Sequence, residues 1–374
     1  MSKATITYQN RQCAFTRDLR AAVDAYFQRT KKAKVGGPAM WMEAVVALSL
    51  YLGPVVVLYA GFVGAWYHAL GLGFIMGIGY LMVGADIMHA ANHGTFSANP
   101  KINRLFSYSM ELLGMSSRNW RVQHNDLHHM HTNVVGPGGD GDLTAGEPIL
   151  RYSTFSRLTG TIVRYQYIYA WFMYSFSFVL WIFNKDFRDQ SAYYHENRYR
   201  FKRGKERSLF SLTAEMVLFK AVYLFLFLVL PMLLGTPVLL VLLMWFTSTM
   251  LAGAIMMPVF QVAHAVPEIE QYEAGAMDVS WMVHQIRTSA DVRASSPIVN
   301  WLLTHVVGGL NYQKVHHAFR DVSHIHYPAL SKIVDRVVAE HGIPSVTFPS
   351  VRSALYAHYR MMKELGQAPS MVGH

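Results

Sequence analysis

"MWMEAVVALSLYLGPVVVLYAGFV", residues 40–63, carries a single charged side chain, Glu43. At 1.5 Å of rise per helical residue, about twenty apolar residues cross the roughly 30 Å hydrocarbon core of a bilayer. This block is long enough. A second, "WYHALGLGFIMGIGYLMVGADIM" (66–88), follows almost without a connection. Two more come later, "MVLFKAVYLFLFLVLPMLL" (216–234) and "VLLVLLMWFTSTMLAGAIMMP" (238–258), joined by Gly-Thr-Pro. The pattern predicts two hairpins of transmembrane helices in an all-α integral membrane protein.

Composition agrees. Apolar residues make up 52% of the 374 and charged residues 15%, against about 25% charged in a typical soluble domain. The formal charge is +10. No stretch interleaves Lys and Arg with stacking aromatics, which argues against nucleic acid as a partner. The positive charge instead flanks the apolar blocks. Arg17, Arg20, Arg29, Lys31, Lys32 and Lys34 precede the first; Lys185, Arg188, Arg198, Arg200, Lys202, Arg203, Lys205 and Arg207 precede the third. Both tight hairpin connections lack Lys and Arg, so the positive-inside rule puts both termini and the central region in the cytoplasm. The polar first twenty residues do not read as a signal peptide. Cys13 is the only cysteine, which leaves no internal disulfide and no cysteine-based metal motif.

A fifth apolar stretch, "YIYAWFMYSFSFVLWIF" (167–183), would upset this parity if it crossed. It is short, rich in aromatics and flanked by Arg164 and Lys185, so it reads as an interfacial helix. The chain then divides into a cytoplasmic N-terminal segment (1–39), a first hairpin (40–88), a cytoplasmic stretch (89–215), a second hairpin (216–260) and a cytoplasmic C-terminal region (261–374).

The histidines cluster where these blocks end. His89 and His93 follow the second block at i, i+4, a spacing that points both imidazoles from one helical face. "RVQHNDLHHMHTN" (121–133) repeats the spacing with His124 and His128, and on an α-helix His129 points about 100° further round, toward a second metal. His264 closes the fourth block. His316 and His317 sit in "GGLNYQKVHHAFRDVSHIHYP" (308–328). These eight exceed the three or four ligands of a single zinc site, so two metals are implied. Ligand type alone admits zinc, iron, copper or nickel. The Glu-x-x-His pairs of carboxylate-bridged di-iron bundles are absent.

Together these motifs resemble the membrane fatty acid desaturases, integral enzymes with three histidine boxes. The boxes are His89-x-x-x-His93, His124-x-x-x-His128-His129 and Gln313-x-x-His316-His317, and the glutamine resembles the front-end, linoleoyl-type branch. "NHGTFS", "HNDLHH", "GGLNYQ" and "HIHYPALSKIV" match as well, and the likeness runs from about residue 40 nearly to the C-terminus. The resemblance implies four transmembrane helices under a cytoplasmic helical cap that holds two irons. His89, His93, His124, His128, His129, His316 and His317 would be ligands, with His264 an additional one. Gln313 and Asn311 stand where a residue touches a metal directly or through water. His284 in "WMVHQIRTSADV" also matches a family stretch, in support or ligation, and His131 is a neighbour of the second box. One departure is Ala90, where the family's first box usually reads His-Asp. Asp140 and Asp142, after the second box, are candidates for orienting ligand imidazoles.

The activity implied is removal of two hydrogens from adjacent carbons of an acyl chain carried on CoA, a carrier protein or a glycerolipid, with O2 as co-substrate. The product is a cis double bond. The His-Pro-Gly-Gly motif of a fused cytochrome b5 domain is absent, so electrons would come from a separate donor such as ferredoxin or cytochrome b5. Hydroxylases and acetylenases use the same boxes and are the nearest alternative. A zinc-dependent membrane lipid hydrolase would leave most of the histidines idle. A transporter would carry polar groups within its spans.

Overall fold

The computed structural model describes residues 6–9, 13–136, 138–140, 149–153, 155, 156, 158–201, 203–294 and 296–368. Helix accounts for 67% of the described residues, and the strands described are two- or three-residue pairs, so the class is all-α. Four of the described helices are long and apolar enough to cross a membrane: Gly37–Tyr59, Trp66–His93, Leu209–Leu233 and Val238–His264. They coincide with the four blocks. The stretch 167–183 is broken. A ten-residue helix, Gln166–Ser175, stops at Phe176, and the helical run after it carries Lys185, Asp186, Arg188 and Asp189. Ten residues rise only about 15 Å, half a hydrocarbon core.

The chain divides into two compact units. One comprises Gly37–Val122 and Phe172–Met257 and contains the apolar helices, the fourth as far as Met257. Its helices are apolar all round, so small residues decide where they touch. A Cβ on Gly79 would lie 2.3 Å from the Tyr51 backbone nitrogen, and one on Gly73 would lie 2.8 Å from the Met244 carbonyl oxygen. Gly77 is pressed in the same way by Leu251 and Ser248. Gly73, Gly77 and Gly79 of "GLGFIMGIG" are therefore the contact surface of the second span. Where buried tyrosines meet polar backbone they donate to it: Tyr51 to the Leu112 carbonyl (2.9 Å) and Tyr80 to that of Leu113 (2.8 Å).

The other unit comprises Met1–Gly36, Gln123–Trp171 and Pro258–His374. Its main core joins the Ala14–Thr30 helix to Tyr327–Glu340 through Leu19, Val23, Phe27, Leu330 and Val334. Behind the third histidine box, Ala290–Val292 pairs with Val346–Phe348 in parallel. Lys314, fully buried, bonds Asp335 (2.7 Å) and the Thr347 hydroxyl (2.8 Å) beside that pair. Those contacts pin the short Gln313–Ala318 helix.

A Gly79→Leu substitution is expected to cost about 1–3 kcal/mol, the usual price of overpacking. Thermal unfolding in detergent would show it as a lowered midpoint. An unchanged midpoint would contradict the close approach of the first two spans.

Candidate metal centre

The second box is not α-helical. Arg121–His128 is wound as a π-helix, and the His129 amide bonds the His124 carbonyl five residues back, at 2.9 Å. Five residues, not four, therefore close the turn. His129 is not turned away from His124 as an α-helix would turn it. Their Nε2 atoms face each other at 3.1 Å. The first box also follows a π-turn, Val83–Met88, before a last α-turn, His89–His93. There the two imidazoles meet edge to face at 4.6 Å, each edge-on to Trp120 at 5.7 and 5.8 Å. Gly94, at φ +77°, ends that helix.

In the unit holding the second and third boxes, two groups of three imidazoles form. His128, His264 and His317 each offer a ring nitrogen within 4.8 Å of the others, and so do His129, His316 and His317. All five are buried. His264 arrives as the last residue of the Val238–His264 helix.

On His128, His264, His316 and His317 the opposite ring nitrogen is held by a named group. His128 Nδ1 lies 2.9 Å from Asp140 Oδ2, which also accepts the Asn133 amide at 3.0 Å. His264 Nδ1 donates to the Thr288 carbonyl at 2.9 Å. His317 Nδ1 is 2.9 Å from Gln285 Oε1 and 3.1 Å from the Thr132 hydroxyl. His316 Nδ1 is 3.1 Å from the Tyr327 hydroxyl. With the proton on Nδ1, each ring turns an Nε2 lone pair inward, the tautomer a metal-binding histidine needs. His264 Nε2 makes no hydrogen bond within the described residues although it is buried. A buried acceptor left so is costly, and a divalent cation among three imidazoles satisfies it. The donor set therefore fits a metal, and two adjoining groups fit two.

The model of the fatty acid desaturase family matches residues 64–349. This chain belongs to the fatty acid desaturase family. It is 30% identical over 360 residues to the sn-1 linoleoyl-lipid 6-desaturase of Synechocystis sp., covering 95% of this chain and 96% of that protein. The corresponding enzyme of Arthrospira platensis is 28% identical, with 95% and 93% covered. The acyl-lipid (8-3)-desaturase of Physcomitrium patens is 30% identical over 97% of this chain and 74% of its own length.

The desaturase's remaining candidates sit around the imidazoles rather than in the groups of three. His284 Nε2 is 2.7 Å from the Thr132 carbonyl oxygen, and burial pushes its pKa down to about 4. Neutral at physiological pH, it donates to the turn that ends the second box. His131 stacks on Tyr8, whose hydroxyl donates to the Met130 carbonyl at 2.8 Å. Asn311 Nδ2 bonds the Val292 carbonyl at 3.2 Å, and its buried Oδ1 makes no hydrogen bond within the described residues. Gln313 Nε2 donates to the Leu310 carbonyl at 2.9 Å. Asp142 lies outside the described residues. Thr132, Gln285, Thr288 and Tyr327 escaped the sequence reading because nothing in their spacing marks them. They act across chain separations of up to 185 residues.

An Asp140→Asn change keeps the shape and removes the carboxylate's charge from His128. Loss of such a partner typically costs 10–100-fold in metal affinity. Metal retention of the purified variant under competing chelator would show this, and retention equal to the parent's would contradict the role.

Proposed function

We propose that the chain is an O2-dependent acyl-lipid desaturase that inserts a cis double bond into a glycerolipid-linked chain at a di-iron centre. The observation that carries this is the pair of adjoining three-imidazole groups, in which a partner on Nδ1 turns His128, His264, His316 and His317 inward. His89, His93 and His124 complete the ligand set in this reading. Family membership favours iron where ligand type alone does not choose. The curated relatives act on acyl lipids by name, which favours a glycerolipid over CoA or a carrier protein.

When bound, the irons supply the O2-dependent oxidising power that no side chain has. The residues supply the rest. Asp140 Oδ2 and the Thr288 carbonyl hold protons on Nδ1 of His128 and His264, which keeps their Nε2 atoms available. Burial of the imidazoles keeps water from the oxidant. Each turnover takes two hydrogens from adjacent carbons and, with two electrons and two protons from outside, turns O2 into two waters. A separate ferredoxin or cytochrome b5 delivers the electrons, and the basic chain favours an acidic donor. Both termini and the histidine boxes face the cytoplasm, as the lysines and arginines flanking the spans direct.

Expression beside a competent electron donor, with His316→Ala as control, tests this through mass spectrometry of derivatised fatty acids. A new cis double bond in the parent strain alone is expected, and its position fixes the regiochemistry. A hydroxyl or triple bond instead would move the chain to the sibling activities. A double bond formed equally by the variant would contradict the role of the third box.

A further inference from the structure

One short stretch, "HQIRTSADV" (284–292), reaches every element that carries the two imidazole groups. His284 Nε2 donates to the Thr132 carbonyl, at the end of the second box. Gln285 Oε1 accepts from the Thr132 hydroxyl and lies 2.9 Å from His317 Nδ1. The Thr288 carbonyl accepts from His264 Nδ1. The strand Ala290–Val292 then runs beside the start of the third box. There the Val292 amide donates to the Asn311 carbonyl at 2.8 Å, and Asp291 bridges to Tyr312. The stretch thus ties the second box, His264 and the third box to one another.

The last of these attachments is made by a charge. Gln313–Ala318 has only six residues, too few for a helix to be stable on its own. Its cap residue, Tyr312, supplies no side-chain bond to the first turn, so the amides there need partners from elsewhere. Asp291 provides one from the neighbouring strand. Its Oδ1 accepts the Lys314 amide at 2.9 Å, and its Oδ2 lies 3.8 Å from Lys314 Nζ. Both side chains are buried. Burial pushes the Asp291 carboxyl up to about 6, and the Lys314 charge opposes that rise. At neutral pH it is therefore mainly ionised, and its bond to the amide is charge-assisted. His316 and His317 follow Lys314 on the same short helix, and His317 belongs to both imidazole groups.

We propose that Asp291 is a positioning residue for the metal centre: by capping the third-box helix from the 284–292 stretch, it sets where His316 and His317 stand relative to His128, His129 and His264. Asp291 acts through Lys314 rather than on a ring or a metal. The proposal rests on the two-metal reading above and extends it to a residue outside the histidine boxes.

Cobalt(II) loading of the purified full chain tests this, because the ion's visible bands report its ligand geometry without any turnover. The parent should bind two cobalts. In Asp291→Ala the helix loses its cap, and both cobalts should bind about tenfold more weakly, the lower end of what loss of an outer partner costs, with shifted bands. Asp291→Asn keeps an oxygen for the Lys314 amide and should restore the parent's affinity and bands. If Asp291→Ala does not fold, Asp291→Leu combined with Lys314→Met removes the cap without stranding a buried charge. Such replacements are often neutral in stability, and Asp335 keeps Arg293 at 2.6 Å; the same weakening is expected. A folded variant without the cap that binds cobalt as the parent does would overturn the proposal, even with a lowered melting midpoint. So would Asp291→Asn behaving like Asp291→Ala. A parent that binds fewer than two cobalts would instead overturn the two-metal reading on which the proposal stands.

Discussion

Imidazoles crowded away from water cannot all be charged, and cannot all be left without a partner. In His128, His129, His264, His316 and His317 that constraint organises the surrounding structure. Charging imidazoles this close together in a low-dielectric interior is costly, and a metal takes the neutral ring. A neutral ring has one proton and one lone pair to place. Asp140, Thr288, Gln285, Thr132 and Tyr327 take the outer side of His128, His264, His316 and His317. What remains inside is a set of lone pairs, a poor arrangement for a dry core and a good one for two cations.

The backbone bends to meet the same need. An α-turn would send His124 and His129 to different sides, whereas the π-turn lets them face at 3.1 Å. Behind the third box, the buried Lys314 and its acidic and hydroxyl partners fix a helix of only six residues. Short, irregular ligand-bearing elements are thus held by polar contacts outside the site. The span-length helices instead use glycine contacts, at Gly73, Gly77 and Gly79.

Much of this was legible in the sequence. Length and polarity alone located the four apolar helices, since a run of twenty apolar residues has few alternatives. The histidine pairs stood out because imidazole is rare and their i, i+4 spacing has geometric meaning. The π-winding was not legible, because it leaves no periodic signature in eight residues. The Nδ1 partners were not legible either: Gln285 and Thr288 look like ordinary members of "HQIRTSA", and only folding carries them to the second and third boxes. The break at Phe176 was hidden by the uniform apolarity of 167–183. Asp140 was picked out beside its box, and the structure sets its carboxylate on His128.

The central claim is that these imidazoles hold two irons, and the most direct measurement is the metal content of the chain purified after expression in iron-replete medium. Elemental analysis should find two irons per chain and negligible zinc, and iron-edge X-ray absorption should show first shells dominated by imidazole nitrogen. The His317→Ala protein, deprived of the ring common to both groups, should lose iron from both sites. One tightly held zinc per chain, or two irons retained undiminished without His317, would contradict the account.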